Sequence, residues 1–403
     1  MVDRYYMTRI AGVALLFAAV LVQAQEQQFR HEYRVGDQYR IVGVSDQSIR
    51  LNGQLAGDAQ VLTRIQLEII AAEDGSGTFV ATYQLSDENS LGDAFRLQRE
   101  FDVQFRQDRF GTMLDSSDRF APPVRNVPTF PEQAIEPGAT WNAPGIEIYD
   151  FRDAFGLTEP VEVPVDVAYR YRGQTEIDGF RLHHIEIQYA VFHRPATGSP
   201  EAEFLRLLTA EHDQNLYWDR EAGRAMFYDE QFTVFMQTID GQRLEYSGSA
   251  DGRVVGAAPL DRSDLAQSIE EAIEDSGIED AVVRQNEDGV VIALENIRFG
   301  ADSAEILPSE RVKIDWLATI VRQYPDRDLL IVGHTALAGT PQGRLQLSEE
   351  RANAVAQALI ELGAKGRDQI IVEGRGAREP IASNETAAGR SRNRRVEITI
   401  LEN

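Results

Sequence analysis

Gly333-His334-Thr335-Ala336-Leu337-Ala338-Gly339 follows directly on the apolar run Leu329-Leu330-Ile331-Val332, and Leu347-Ser348-Glu349-Glu350-Arg351-Ala352 stands shortly after it. Near the end of the chain lies Asn393-Arg394-Arg395-Val396-Glu397-Ile398. Around these three motifs the pattern alternates between helix and strand. Leu307-Pro308-Ser309 predicts the start of a helix running to about Tyr324, with Val312, Leu317, Ile320 and Val321 on its buried face. Leu329 to Val332 is a fully apolar strand. Ser348 is expected to begin a second helix, with Ala352, Val355, Ala356 and Leu359 spaced for burial and Gly363 as its stop. Ile370-Ile371-Val372 and Val396 to Leu401 read as two further strands. That order predicts a mixed α/β sheet covered by helices.

Upstream, residues 256–264 read as a linker. Leu265, Ile269 and Ile273 define one face of a helix to Ser276, with Asp264 as the expected N-cap and Gly277 as the stop. Ala281-Val282-Val283, a turn at Asp288-Gly289 and Val290 to Leu294 form a hairpin, so residues 256–289 connect two domains. Residues 25–255 are β-rich. Ile185-Glu186-Ile187-Gln188-Tyr189 and Phe101-Asp102-Val103-Gln104-Phe105 alternate with period two. Turn pairs recur at Asn52-Gly53, Asp74-Gly75, Asp178-Gly179, Asp240-Gly241 and Asp251-Gly252. This predicts an antiparallel sandwich or curved half-barrel. Ten of the 15 prolines fall between residues 121 and 200, and the stretch from Ala121 to Pro144 is expected to wrap the sheet irregularly, with Trp141 plugging a gap. The fold class is therefore α+β and multidomain.

Composition bounds the function. At 403 residues the chain exceeds one ordinary core. There is no cysteine, which excludes disulfides, thiolate metal sites, thiol nucleophiles and a lipidated cysteine. The net charge of −25 is uneven: 25 basic and 49 acidic side chains precede residue 290, against 15 and 16 from there onward. Such a surface makes nucleic acid a poor partner. The acidic excess, the proline-rich interruption and the short strand runs favour a soluble β domain over a transmembrane barrel. Arg4 and Arg9 precede the apolar run Ile10 to Val22, and Val22-Gln23-Ala24 supplies small residues for signal peptidase, so residues 1–24 read as a cleaved export signal. His183 and His184 are strand neighbours that point to opposite faces and cannot chelate together. No phosphate loop, nucleophile elbow or metal motif is evident, so no cofactor, metal or catalytic residue is expected.

The three motifs, in this order over residues 290–403, resemble the C-terminal domain of the OmpA family. The resemblance implies an envelope protein that associates with peptidoglycan from the periplasm of a diderm bacterium, at the outer membrane or cell wall. It also implies a clamp on the diamino acid of the peptide stem, in which an arginine forks onto a carboxylate and a facing aspartate takes the ammonium. Arg351 matches that arginine. Ala336 stands where the family carries the aspartate, and Arg344 where relatives commonly carry asparagine in the loop before the second helix. Thr335, Leu347, Asn393 and Arg394 complete the implied ligand-binding set, with Arg390, Arg392 and Arg395 nearby. If Arg351 were structural, it would pair with Glu397 or Glu373. Glu349 and Glu350 are explained by capping of the first helical turn. The β domain would supply a second contact with an envelope protein or lipid. The rival reading is an adhesin-like interaction protein on a repurposed scaffold that no longer grips the wall.

Overall fold

The computed structural model describes residues 26–88, 94–255, 260–278, 280–286, 288–295, 297–300 and 303–402. The export signal at 1–24 and the first part of the 256–264 linker, residues 256–259, lie outside the described residues, while residues 262–264 are helical.

Twelve strands build the N-terminal part: β1 Gln38–Leu51, β2 Gln54–Glu73, β3 Ser76–Glu88, β4 Phe95–Asp108, β5 Met113–Ser116, β6 Val124–Arg125, β7 Thr140–Tyr149, β8 Val161–Ile177, β9 Phe180–His193, β10 Leu205–Asp219, β11 Arg224–Thr238 and β12 Arg243–Val255. A one-turn helix α1, Arg152–Phe155, separates β7 from β8. Each strand but β6 pairs antiparallel with its predecessor, and β1 also pairs with β12. The result is one continuous meander from β5 through β1 and β12 to β6. Its ends curl together, since Arg99 on β4 reaches Asp150 beyond β7 at 2.9 Å.

Period two decides which side is wet. Along β8, Val161, Val163, Val165, Val167, Tyr169 and Tyr171 are buried while Glu162, Asp166, Arg170 and Arg172 face outward. A lipid-facing barrel reverses that arrangement. Asn52-Gly53, Asp74-Gly75 and Asp178-Gly179 take positive φ at both residues, as tight hairpins demand. Asp251-Gly252 is a correction: it lies inside β12, and Gly252 is there because any Cβ would strike the Tyr228 ring. The proline-rich segment wraps the sheet, but its plug is Phe130. That ring is buried, 5.6 Å from Phe29 and 4.6 Å from Trp218. Trp141 instead opens β7, half-buried, stacked on Tyr169 at 5.0 Å.

The C-terminal part contains α2 Arg262–Ser276, β13 Ala281–Gln285, β14 Gly289–Glu295, α3 Arg311–Val321, β15 Leu329–His334, α4 Pro341–Glu361, β16 Ile370–Gly376, α5 Ala387–Asn393 and β17 Arg395–Leu401. Strand order is β13-β14-β17-β15-β16, parallel only between β15 and β16. Helices α2, α3 and α4 cover one face through Leu265, Ile269, Ile314, Leu317, Val355 and Leu359.

Three helix starts differ from expectation. Asp261 caps α2, accepting from the amides of Ser263 and Asp264. A 3-10 turn at Pro308–Glu310 precedes α3, leaving Val312 69% exposed while Ile314 and Ala318 take the buried face. Most important, α4 begins at Pro341, because Thr340 accepts from the Gly343 amide and proline suits the first turn.

The two parts touch. Phe95 and Arg96 of β4 extend the second sheet by pairing parallel with Ile371 and Val372. Beside that seam, Asp328 receives both Arg40 at 2.8 Å and Arg64 at 2.7 Å, and all three side chains are buried. Arg253 pairs with Asp368 at 2.7 Å, and Arg367 with Glu88 at 2.6 Å.

Candidate functional site

The first motif is the exit of β15, and its glycine is a packing requirement. A Cβ on Gly333 would lie 1.9 Å from the Ser348 carbonyl oxygen, and one on Gly374 would lie 2.6 Å from the Glu349 amide. Both strands therefore press directly on the backbone of α4. Ser348 fastens that contact: its fully buried hydroxyl donates to the Leu345 carbonyl at 2.7 Å and accepts from the Gly376 amide at 2.9 Å. The Leu-Ser pair thus fixes the height at which Arg351, one turn on, leaves the helix.

Arg351 sits mid-helix, and capping no longer accounts for Glu349 and Glu350. Glu350 accepts from Gln346 at 2.9 Å, and Glu349 lies 3.6 Å from Arg96 of the β domain. Neither Glu397 nor Glu373 takes Arg351. Glu397 holds Arg395 at 2.6 Å, and Glu373 holds Arg375 at 2.9 Å. Arg351 instead donates from Nε to the Ser303 carbonyl at 3.2 Å, and its guanidinium lies 4.8 Å from the Phe299 ring centre. Phe299, which bridges to Ile306, and Ser303 therefore orient the arginine. Sequence reasoning missed Phe299 and Ser303, because a ring and a carbonyl carry no local signal for a distant cation.

The other residues separate into two groups. Thr335 is buried, its amide donating to the Gly376 carbonyl at 2.8 Å while its hydroxyl has no partner. Ala336 is buried, 7% exposed. Leu347 is half-buried on α4. Arg344 lies in the first turn of α4 rather than in a preceding loop, donating to the Gly339 carbonyl at 2.5 Å. Asn393 is fully buried: its Oδ1 accepts from Ile381 and Ala382, and its Nδ2 donates to the Ala382 carbonyl and Asn384 Oδ1. Asn384 in turn receives the Leu337 amide at 3.0 Å. Asn393 thus shapes the neighbouring loop by hydrogen bonding. Arg390 holds the Asn384 and Glu385 carbonyls, Arg392 holds Glu295 and Arg395 holds Glu397. Arg394 is exposed.

His334 points to the opposite face of β15. It is buried 3.8 Å from Glu397, and neither ring nitrogen has a hydrogen-bond partner. Burial, reinforced by the Arg395 charge, lowers its pKa to about 4 and keeps it neutral. Arg351 is thus held by Ser303 and Phe299, while Leu347 is half-buried and Ala336 buried. Among the described residues no cluster of histidine and carboxylates has metal-binding geometry.

Residues 298–394 match the sequence model of the OmpA family, so the chain carries an OmpA-like domain there. Among curated relatives, the probable lipoprotein YiaD of Escherichia coli (strain K12) is 34% identical over 120 residues, covering 30% of this chain and 54% of that protein. The peptidoglycan-binding protein ArfA of Mycobacterium tuberculosis (strain ATCC 25618 / H37Rv) is 38% identical over 104 residues, 26% of this chain and 32% of that one. This chain therefore spans less than two thirds of either relative. The solved cell wall anchor of the T6SS from Pseudomonas aeruginosa aligns with 35% of this chain and 99% of its own, at 30% identity and a TM-score of 0.30.

Proposed function

We propose that this chain is an exported, non-enzymatic protein of the diderm envelope whose OmpA-like domain associates with peptidoglycan from the periplasm. The observation that carries the reading is Arg351, one turn beyond the buried Ser348 on α4 and anchored through Ser303 and Phe299. It is supported by the family match and by the similarity to the peptidoglycan-binding protein ArfA. A guanidinium held in place binds a carboxylate at one spacing, and its cost of ordering is already met by the fold. Ala336 removes the partner for an ammonium, so the grip is expected to be weaker than a full clamp by about ten- to a hundredfold. The β domain would add the second envelope contact, with a protein or a lipid.

Co-sedimentation of the mature protein with purified sacculi tests this. Binding should fall for Arg351→Ala and rise about tenfold or more for Ala336→Asp. If neither the wild type nor Ala336→Asp sediments, the domain is a scaffold. The buried methyl at 336 favours that second reading, an interaction protein whose specificity resides in the β domain.

A further inference from the structure

A cavity of about 440 Å³ lies between the two domains, away from Arg351, and nothing in the proposed function uses it. Its floor is the outer face of β1 to β4. Register places Arg40, Gln66, Thr82 and Asp102 in one row across the four strands. The adjacent row runs Arg64, Gln84, Glu100 on β2, β3 and β4. Each row starts with a guanidinium, passes through neutral hydrogen-bonding groups and ends with a carboxylate. Asp288, Asp328 and the end of β17 close the cavity from the other domain.

The cationic end is built: Arg40 Nη2 also donates to the Asp326 carbonyl at 3.4 Å and Arg64 Nη2 to the Asp368 carbonyl at 2.5 Å. Arg40 and Arg64 are 6% and 2% exposed, and they share the single carboxylate of Asp328. Arg40 Nε and Arg64 Nη1 have no hydrogen-bond partner, an unusual state for buried donors. At the other end Glu100 accepts from Gln84 and Asp102 from Thr82, each at 2.7 Å, and both carboxylates are exposed to the opening. With neighbouring strands about 4.8 Å apart, Arg64 and Glu100 are separated by about 10 Å and Arg40 and Asp102 by about 14 Å. An extended chain advances about 3.3–3.6 Å per residue, so these spans match three or four residues.

We propose that the interdomain cavity binds a short extended peptide with free termini, its carboxylate at Arg40 and Arg64 and its ammonium at Glu100 and Asp102. Opposite charges at a fixed spacing select length as well as chemistry, and the row of glutamines and threonine between them serves any peptide backbone. The site is independent of the cell-wall reading, since Arg351, Ser303 and Phe299 do not line it.

Calorimetry of the mature full-length protein with tetra-alanine tests it, alongside tetra-alanine acetylated at the N-terminus or amidated at the C-terminus. Blocking either end should weaken binding about tenfold or more. The double variant Glu100→Gln, Asp102→Asn is confined to exposed side chains and avoids the domain seam. It should lose a similar factor for tetra-alanine and none for the acetylated peptide. Arg351→Ala should bind tetra-alanine as the wild type does. No heat at millimolar tetra-alanine, equal affinity for blocked and free peptides, or loss of binding in Arg351→Ala would each overturn the proposal.

Discussion

Gly333 shows how little space a motif residue can leave for change. The nearest atom to an added methyl is a backbone oxygen of α4 at 1.9 Å, which no rotamer adjustment relieves. Gly333→Ala should destabilise the OmpA-like domain by about 1–3 kcal/mol, read as a lowered urea midpoint. Asn393 is the polar counterpart. Replacing it by Ala leaves the Ile381 and Ala382 amides without their acceptor. That should cost about 1–3 kcal/mol and release the loop that holds Leu337, visible as faster amide exchange at residues 381–384. The glycine, the serine and the arginine of the motifs were legible as pattern. What each of them packs against or donates to was not, because spacing along a chain does not say which backbone lies opposite.

At the scale of elements, the interior of the β meander holds an ionic cluster that the alternation pattern did not reveal. His212 on β10 lies 2.6 Å from Glu230 on β11 and 3.3 Å from Glu147 on β7, beneath the Tyr189 ring at 4.5 Å. Burial lowers the histidine pKa, but hydrogen bonds and charges from both glutamates outweigh it and raise the value to about 9. Tyr149 and Tyr189, beside Glu147, are pushed far above their ordinary range by burial and do not titrate in the same window. The folded pKa exceeds the unfolded value of 6.5, so the stabilisation is complete below about pH 6.5 and disappears as pH rises through about 9. It amounts to up to about 3 kcal/mol. Urea midpoints measured from pH 6 to about 10 should fall for the wild type and stay flatter for His212→Gln. Helix α4 teaches a related lesson. Thr340-Pro341 was a readable cap, but the family-like Leu-Ser motif drew the expected start seven residues too late.

On the scale of the whole molecule, the two domains meet through the β4–β16 bridge and through Asp328. Removing its charge leaves Arg40 and Arg64 buried together without an anion, which costs about 3–5 kcal/mol when one partner of such a set is lost. Asp328→Asn should therefore undock the domains, splitting one unfolding transition into two. The same variant opens the cavity between them, so peptide binding and docking should be lost together.

The sequence by itself determined the alternating β-rich half, the helix-covered sheet that follows and the three motifs that mark an OmpA-like domain. Each of these rests on local periodicity or on residues close together in the chain. Only the tertiary structure decided what Arg351 leans on, why Asn393 is buried, and that Arg40 and Arg64 converge on Asp328 some 264 residues beyond Arg64. Those partners are chosen by which faces of distant elements are pressed together, and a single strand of sequence carries no coordinate for that choice.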